Sequence, residues 1–239
     1  HILQGARPIF FYGQAYMGSL DAYLVAGMFA ALGESVLAIR LTQVFLYLVT
    51  IITTIFIARK VFGTMVSGWV AGVLLMVPTV NTTLYTTASL GGYGEALLIG
   101  NLILLIGLSI YQKNGISKWP ITIVPLLLGM AMGVGLWANG LTLIYSLPVA
   151  LMILVLVFTR GRQSVGRAAL MLALILSGFF IGSLPWWIFA AQNGMLALLS
   201  ELTGSAVAVE TQSWLSITGQ HALNFLLFGV TALLGLRPP

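Results

Sequence analysis

Long apolar runs separated by short polar segments fill most of this chain. A helix needs roughly 20 apolar residues to cross a bilayer core of about 30 Å, because each residue adds about 1.5 Å. Seven runs reach or approach that length, at residues 36–58, 64–80, 94–112, 119–137, 140–158, 168–190 and 221–236. No linker rich in Pro or Ser divides them. The pattern predicts one all-α domain over residues 1–239, a membrane bundle of about seven transmembrane helices.

An eighth apolar run, at residues 18–32, is shorter than a membrane span. Its central part, "LDAYLVAGMFAALG", is typical of a helix that lies on a membrane surface. Leu20, Leu24, Met28 and Ala31 follow one helical stripe, and Asp21 falls in the first turn, where its charge favours the helix N-terminus. We therefore predict a juxtamembrane helix on the outer surface rather than a further span.

Composition agrees with a membrane protein. The 239 residues are 59% hydrophobic and only 6% charged, and the mean hydropathy is +1.06, far from the averages of soluble domains. The absence of cysteine excludes disulfides, thiolate metal sites and cysteine nucleophiles. The basic residues are scattered singly, so no basic patch indicates nucleic-acid binding. The start at His1 without Met, and the end at "GLRPP", predict an internal fragment of a longer chain.

The charged residues divide between alternate connections and so predict an orientation. Lys and Arg near span ends stay on the cytoplasmic side. The residues that this rule places inside are Arg59, Lys60, Lys113, Lys118, Arg160, Arg162, Arg167 and Arg237. The opposite connections, residues 81–93 and 191–220, contain no Lys or Arg. All five acids, Asp21, Glu34, Glu95, Glu201 and Glu210, then belong to the extracytoplasmic side.

Two of these acids are candidate catalytic residues. Asp21 follows the aromatic, amide-bearing turn "YGQAYMGS", and Glu95 ends "SLGGYGE" just before an apolar helix. An acid that enters an apolar helix is costly unless it is paired or hydrated, which favours a cavity facing the protein interior. The alternative is that both acids only stabilise helix N-termini. Within these two stretches we predict that Gln14, Tyr16 and Tyr93 bind substrate.

Arg40 is a candidate for binding phosphate or for an ion pair. It lies in "LAIRLTQ" at the outer end of the first predicted span, where its guanidinium can reach the interface. The planar fork of arginine suits either a phosphate group or a carboxylate such as Asp21 or Glu34. We predict that Asp21, Glu95 and Arg40 share one cavity. No His, Asp or Glu cluster has the spacing of metal ligands, so the sequence predicts no metal-binding residue.

Several motifs resemble those of membrane glycosyltransferases of the GT-C superfamily. The stretch "FYGQAYMGSLDAYLVAGMFAALGESVLAIRL", followed by "IARKVFG", is similar to the bacterial group related to protein mannosyltransferases and aminoarabinose transferases. In that group a juxtamembrane helix on the outer face precedes a span that begins near "AxRL" and ends in a basic cluster before "FG". The later "GGYGEALLIG", "GSLPWWIFAAQNG" and "GSAVAVE" are also similar to this group.

The resemblance implies an activity and partners. It implies transfer of a sugar from a polyprenyl-phosphate donor to a glycan, lipid or protein acceptor at the outer face of the bacterial inner membrane, with a divalent metal as an optional cofactor. The presumed base of the family is an acid in a loop after an earlier span, which this chain does not contain. The resemblance therefore implies that this fragment alone is inactive and that Asp21 is a substitute or supporting residue.

Two other classes of protein fit the pattern less well. A transporter or lipid flippase would use Asp21 and Glu95 along a path for ions or substrate, but the sequence contains no evident inverted repeat. In a structural membrane subunit the outer acids would only reflect the orientation of the chain in the membrane. Labelling of an acceptor from lipid-linked sugars, compared with solute uptake into vesicles, separates these classes.

Overall fold

The computed structural model describes residues 1–11, 14–79, 82–83, 92–112, 123–160 and 165–198, and positions 219, 220, 223, 224 and 229. Within these residues the fold is all-α, as predicted, apart from one small hairpin at the N-terminus. Its strands are β1 (Phe10–Phe11) and β2 (Gln14–Gly18), and they pair antiparallel with Phe10 opposite Gly18. The hydrophobic pattern had not indicated this hairpin.

The helices follow the predicted apolar runs. They are α1 (Leu20–Leu32), α2 (Val36–Phe62), α3 (Met65–Met76), α4 (Tyr93–Gln112), α5 (Val124–Ala138), α6 (Leu143–Arg160), α7 (Val165–Gly182) and α8 (Leu184–Asn193). Two single turns of 3-10 helix lie at Ile2–Gln4 and Gly140–Thr142. The predicted juxtamembrane helix at 18–32 is thus confirmed as a helix, α1.

Within the described residues, four helical segments are long and apolar enough to cross a membrane: Val36–Phe62, Tyr93–Gln112, Gly140–Thr159 and Val165–Gly182. The longest, α2, begins where the Ser35 side chain accepts a hydrogen bond from the Ala38 amide at 3.2 Å. It ends at Gly63, whose φ of +75° is a left-handed conformation that glycine adopts easily. Arg59 and Lys60 in its last turn complement the helix dipole.

The predicted number of seven spans stays a prediction, because three runs form shorter elements. The run at 64–80 forms the 12-residue helix α3, which at about 1.5 Å per residue is too short to cross a bilayer alone. The run at 119–137 forms the 15-residue helix α5, and residues 119–122 lie outside the described part. Most of the run at 221–236 is likewise outside it.

The run at 168–190 was wrongly predicted as one continuous helix. The chain turns at Ser183, between α7 and α8, and Pro185 stands in the first turn of α8. Proline has no backbone N–H to donate to the preceding turn, so it suits a helix start better than a helix interior. The Ser183 hydroxyl donates to the Phe179 carbonyl at 2.7 Å and accepts from Trp187 Nε1 at 2.9 Å. Trp186 and Trp187 therefore belong to α8, after the break.

Among the described helices, α5 and α7 make the most extensive contact with each other. Glycines on both helices allow it. The motifs "GMAMG" at 129–133 and "GFFIG" at 178–182 face each other. A Cβ atom on Gly129 or Gly133 would collide with the backbone of α7, and one on Gly178 or Gly182 with the backbone of α5. Small residues four positions apart let membrane helices approach this closely.

Polar side chains connect α2 and α4 in the middle of the bundle. Asn101 donates to the Thr50 carbonyl at 3.1 Å, to Thr53 Oγ1 at 3.1 Å and to Thr54 Oγ1 at 2.7 Å. Hydrogen bonds of this kind fix the register of two apolar helices, because no water competes for them. Apolar packing surrounds this contact, and its fully buried members include Ile103 and Leu128.

The described helices meet at two chemically different ends. At one end, Met17 of β2 pairs with Asn139 after α5, Phe10 packs edge-on against Trp186 of α8 at 4.9 Å, and α1 packs beside α2. We call this the hairpin end. At the other, Gln112 Nε2 of α4 donates to the Lys60 carbonyl of α2 at 2.7 Å. We call this the basic end.

The outer surface of the bundle is apolar, as expected for contact with lipid. In each of the four spanning segments fewer than half of the residues in the most apolar window are buried. Large apolar side chains that are more than half exposed include Phe45, Phe62, Val66, Leu74, Leu147 and Phe158. A soluble monomer rarely exposes so much contiguous apolar surface. The chain is therefore a membrane protein.

The charge distribution predicts that the hairpin end is extracytoplasmic and the basic end cytoplasmic. Because the chain contains no cysteine, single cysteines can report this directly. Glu34 lies exposed between α1 and α2, and Thr64 lies exposed between α2 and α3. On intact cells we expect an impermeant thiol reagent to label Glu34→Cys, and to label Thr64→Cys only after permeabilisation. The reverse pattern would contradict the orientation.

Candidate functional site

Asp21 lies in the first turn of α1 and is only 1% exposed. The segment before β1 is held against this turn by side chains of the helix start. Ser19 Oγ donates to the Pro8 carbonyl at 2.5 Å, and its backbone amide donates to the Ile9 carbonyl at 3.2 Å. Tyr23 Oη donates to the Pro8 carbonyl at 3.2 Å. These contacts fix the position of the Asp21 carboxyl relative to the hairpin.

Gln43, on α2, is the hydrogen-bond donor that holds Asp21. Its Nε2 atom donates to Asp21 Oδ1 at 2.7 Å, and its side chain is 2% exposed. The bond joins residues 22 positions apart and links the surface helix α1 to the first spanning helix. Sequence reasoning did not select Gln43, although a glutamine within the apolar run "LTQVFLYL" is itself a polar exception.

Glu95 completes a buried carboxyl pair. It occupies the third position of α4, is 2% exposed and interacts directly with the Asp21 carboxyl. Neither of its oxygens has a hydrogen-bond donor among the described residues. The structure thus brings Asp21 and Glu95 together, as the sequence predicted.

Glycines before Glu95 allow this close arrangement. A Cβ atom on Gly94 would lie 2.9 Å from Gln43 Oε1, and one on Gly92 would lie 2.9 Å from the Ala138 carbonyl oxygen. Gly92 also has a φ of +81°, which favours glycine. At these two glycines the chain therefore packs closely against α2 and the end of α5.

A cleft of about 360 Å³ at the hairpin end includes Asp21, one member of the carboxyl pair, in its wall. Its lining combines the N-terminal turn with one face of α1 and includes Leu3, Phe11, Asp21, Val25, Phe29 and Glu34. The walls are mostly apolar, and Asp21 contributes a carboxyl group. A cleft of this composition suits an amphiphilic molecule more than a fully hydrated ion.

Other predicted site residues lie outside the buried pair. Arg40 is exposed on α2, has no ion-pair partner among the described residues and does not line the hairpin-end cleft, so its predicted place in a cavity shared with Asp21 and Glu95 stays a prediction. Tyr93 is half-buried at the start of α4, two residues before Glu95. Gln14 and Tyr16 belong to β2, and their side chains lie outside the described part.

The described residues contain no group of three or more His, Cys, Asp or Glu side chains that could hold a metal ion. The carboxyl pair supplies two acidic ligands, whereas Mg²⁺ requires six oxygen ligands and completes its shell with water or phosphate.

We expect Gln43→Leu to destabilise the folded protein. The substitution leaves the buried Asp21 carboxyl without this donor, and an unsatisfied buried group costs about 1–3 kcal/mol. Thermal unfolding in detergent should show a clear fall in melting temperature. Asn193→Leu is the matched control, because Asn193 is exposed and donates to the Phe189 carbonyl at 3.1 Å. Equal melting temperatures for the two variants would contradict a structural role for Gln43.

No family model matches this chain, and neither a curated protein nor a solved structure matches it.

Proposed function

We propose that this protein transfers a sugar from a polyprenyl-phosphate donor to an acceptor at the extracytoplasmic face of a bacterial cell membrane. The observation that carries the proposal is the buried Asp21–Glu95 pair beside the hairpin-end cleft. Ionisable groups inside apolar bundles are costly and mark functional sites. The resemblance of the surrounding motifs to GT-C glycosyltransferases supplies the substrate class.

The transfer needs a base for the acceptor hydroxyl. The hydroxyl oxygen bonds to the anomeric carbon of the sugar, while the bond from that carbon to the phosphate oxygen breaks. The polyprenyl phosphate leaves with the bonding electrons, and the hydroxyl proton passes to a carboxylate. Asp21 is the proposed acceptor of this proton. The Gln43 hydrogen bond holds the Asp21 carboxyl in place for this role.

The donor phosphate needs a cation and its lipid needs an apolar surface. Arg40 is exposed near the start of α2, with its guanidinium free of ion pairs to described residues, which supports a role in binding the phosphate. The polyprenyl chain would lie along the apolar outer surface of the bundle. Gln14, Tyr16 and Tyr93 are the proposed contacts to the sugar or the acceptor, because they flank Asp21 and Glu95 in sequence.

The direct test is transfer in liposomes, by residues 1–239 and by a version extended upstream through the next hydrophobic run. Radiolabelled polyprenyl-phosphate sugars are supplied together with membrane extracts as acceptors, and labelled product is measured against protein-free liposomes. We expect labelled product with the extended version, and equal product with residues 1–239 would show that the base lies within them, with Asp21 the leading candidate. Lack of labelling with every donor, for a protein that unfolds cooperatively and is therefore folded, would refute glycosyl transfer.

One observation favours a transporter as the second candidate. Glu95 lies within a segment long and apolar enough to span a membrane, and neither of its oxygens has a donor among the described residues. Buried acids in membrane helices mark ion pathways and proton relays. In that case the same liposomes should accumulate a solute or ion down an imposed gradient, and Glu95→Gln should abolish the uptake. Glycosyl transfer without uptake would exclude this candidate.

A further inference from the structure

A second cleft, of about 540 Å³, lies at the basic end between the ends of α2 and α4. Its lining residues are Phe56, Arg59, Lys60, Gly63, Leu105, Ser109 and Gln112. It is formed at the opposite end of both helices from Gln43 and Glu95. Neither the carboxyl pair nor the proposed reaction uses it.

The lining residues follow one face of each helix. On α2 they fall at positions 56, 59, 60 and 63, and on α4 at positions 105, 109 and 112, which is the spacing of neighbours along a helix face. The apolar members, Phe56 and Leu105, are about one to two turns further from the basic end than the polar ones. The cleft therefore changes from polar to apolar along the membrane normal, as a phospholipid does.

The polar half of the cleft has the charge to bind an anion. Arg59 and Lys60 have no ion-pair partner among the described residues. Carbonyl oxygens at a helix C-terminus would repel an anion, but two of them are already occupied. The Arg59 carbonyl accepts from the Gly63 amide at 2.8 Å, and the Lys60 carbonyl accepts from Gln112 Nε2 at 2.7 Å. No described acid therefore pairs with these two cations.

We propose that this cleft binds an anionic phospholipid of the cytoplasmic leaflet. Its phosphate contacts Arg59 and Lys60, and its acyl chains lie along Phe56 and Leu105. Basic clefts between membrane helices at the cytoplasmic side suit such head groups. The apolar half favours a lipid over a soluble phosphate, since Phe56 is 46% exposed on the surface that faces the bilayer. This inference is independent of the proposed glycosyl transfer.

The test measures lipid binding to the whole chain. Protein purified in neutral phosphatidylcholine nanodiscs is titrated with phosphatidylglycerol, and bound lipid is counted by native mass spectrometry. Each cation near a membrane surface contributes about a fivefold change in affinity. We therefore expect Arg59→Gln and Lys60→Gln each to weaken binding about fivefold and the double variant to weaken it more. Arg59→Lys, which keeps the charge, should retain most of the binding.

Arg7→Gln is the matched control, because it removes one positive charge at an exposed position near the hairpin. It should bind phosphatidylglycerol like the unmodified protein. Inorganic phosphate and glycerol phosphate are added as soluble competitors and should not displace the lipid at equal concentration. The proposal is overturned if the double variant binds as well as Arg7→Gln, or if the soluble phosphates compete as strongly as the lipid.

Discussion

Asp21→Asn is expected to lower the rate of sugar transfer about a hundredfold to ten-thousandfold, the usual contribution of a positioned general base. Asparagine keeps the shape of the side chain and an Oδ1 atom that can accept the 2.7 Å hydrogen bond from Gln43. The fold should therefore survive while the proton acceptor is lost. Initial rates with a labelled lipid-linked sugar, together with thermal unfolding, separate these two effects.

Glu95→Gln tests the other half of the carboxyl pair. The amide can donate to Asp21 but cannot exchange a proton with it, so we expect a lower rate with an unchanged melting temperature. Arg7→Gln is the control, because Arg7 is an exposed charged residue near the hairpin and does not line the cleft. Its rate should stay within about twofold of the unmodified protein, as expected for a screened surface charge. Unchanged rates in both Asp21→Asn and Glu95→Gln would show that these acids act only as charges at helix ends.

Gly178→Ala is expected to destabilise the bundle by about 1–3 kcal/mol or more, although alanine is the better helix former. Its added methyl group would collide with the Leu126 carbonyl oxygen of α5. Backbone atoms cannot rotate away as a side chain can, so the two helices must separate. That separation also disturbs the contacts of Gly129, Gly133 and Gly182. Unfolding in mixed micelles with increasing denaturing detergent measures the loss.

Gly166→Ala provides the matched control on the same helix. A Cβ atom at Gly166 meets nothing within 4 Å, so the higher helix propensity of alanine should leave stability unchanged or slightly raised. We therefore expect Gly178→Ala to lower the free energy of unfolding and Gly166→Ala to leave it unchanged or raise it slightly. Equal effects would show that the α5–α7 contact does not depend on the close approach of the two backbones.

The helices themselves could largely be predicted from the sequence. Runs of apolar residues predicted α2, α4 and α6 to within a few residues at the ends that lie in the described part, and the short run with Asp21 predicted α1. The break at Ser183 was missed because Trp186, Trp187 and Ile188 continue the apolar pattern across Pro185. The hairpin was missed because its strands are short and pair over only a few residues.

The site could be predicted only in part. Asp21 and Glu95 stood out individually, since a charge beside an apolar helix is rare. Gln43 did not, because an uncharged amide changes hydropathy little. Its role depends on a hydrogen bond to Asp21 on another helix. Arg40 lies three residues before Gln43 on α2, yet it is exposed rather than turned towards the pair. Sequence spacing alone did not show which of these two residues meets Asp21.

By itself the sequence determined the membrane environment, the helical class, and which helix ends carry acids and which carry bases. These properties depend on composition and on local periodicity, which a single run of residues contains. The tertiary structure alone decided that Gln43 holds Asp21 beside Glu95, that four glycines bring α5 and α7 into backbone contact, and that Arg59 and Lys60 line a cleft. Each of these depends on the rotation and register of one helix against another, because partners far apart in the chain set that geometry together.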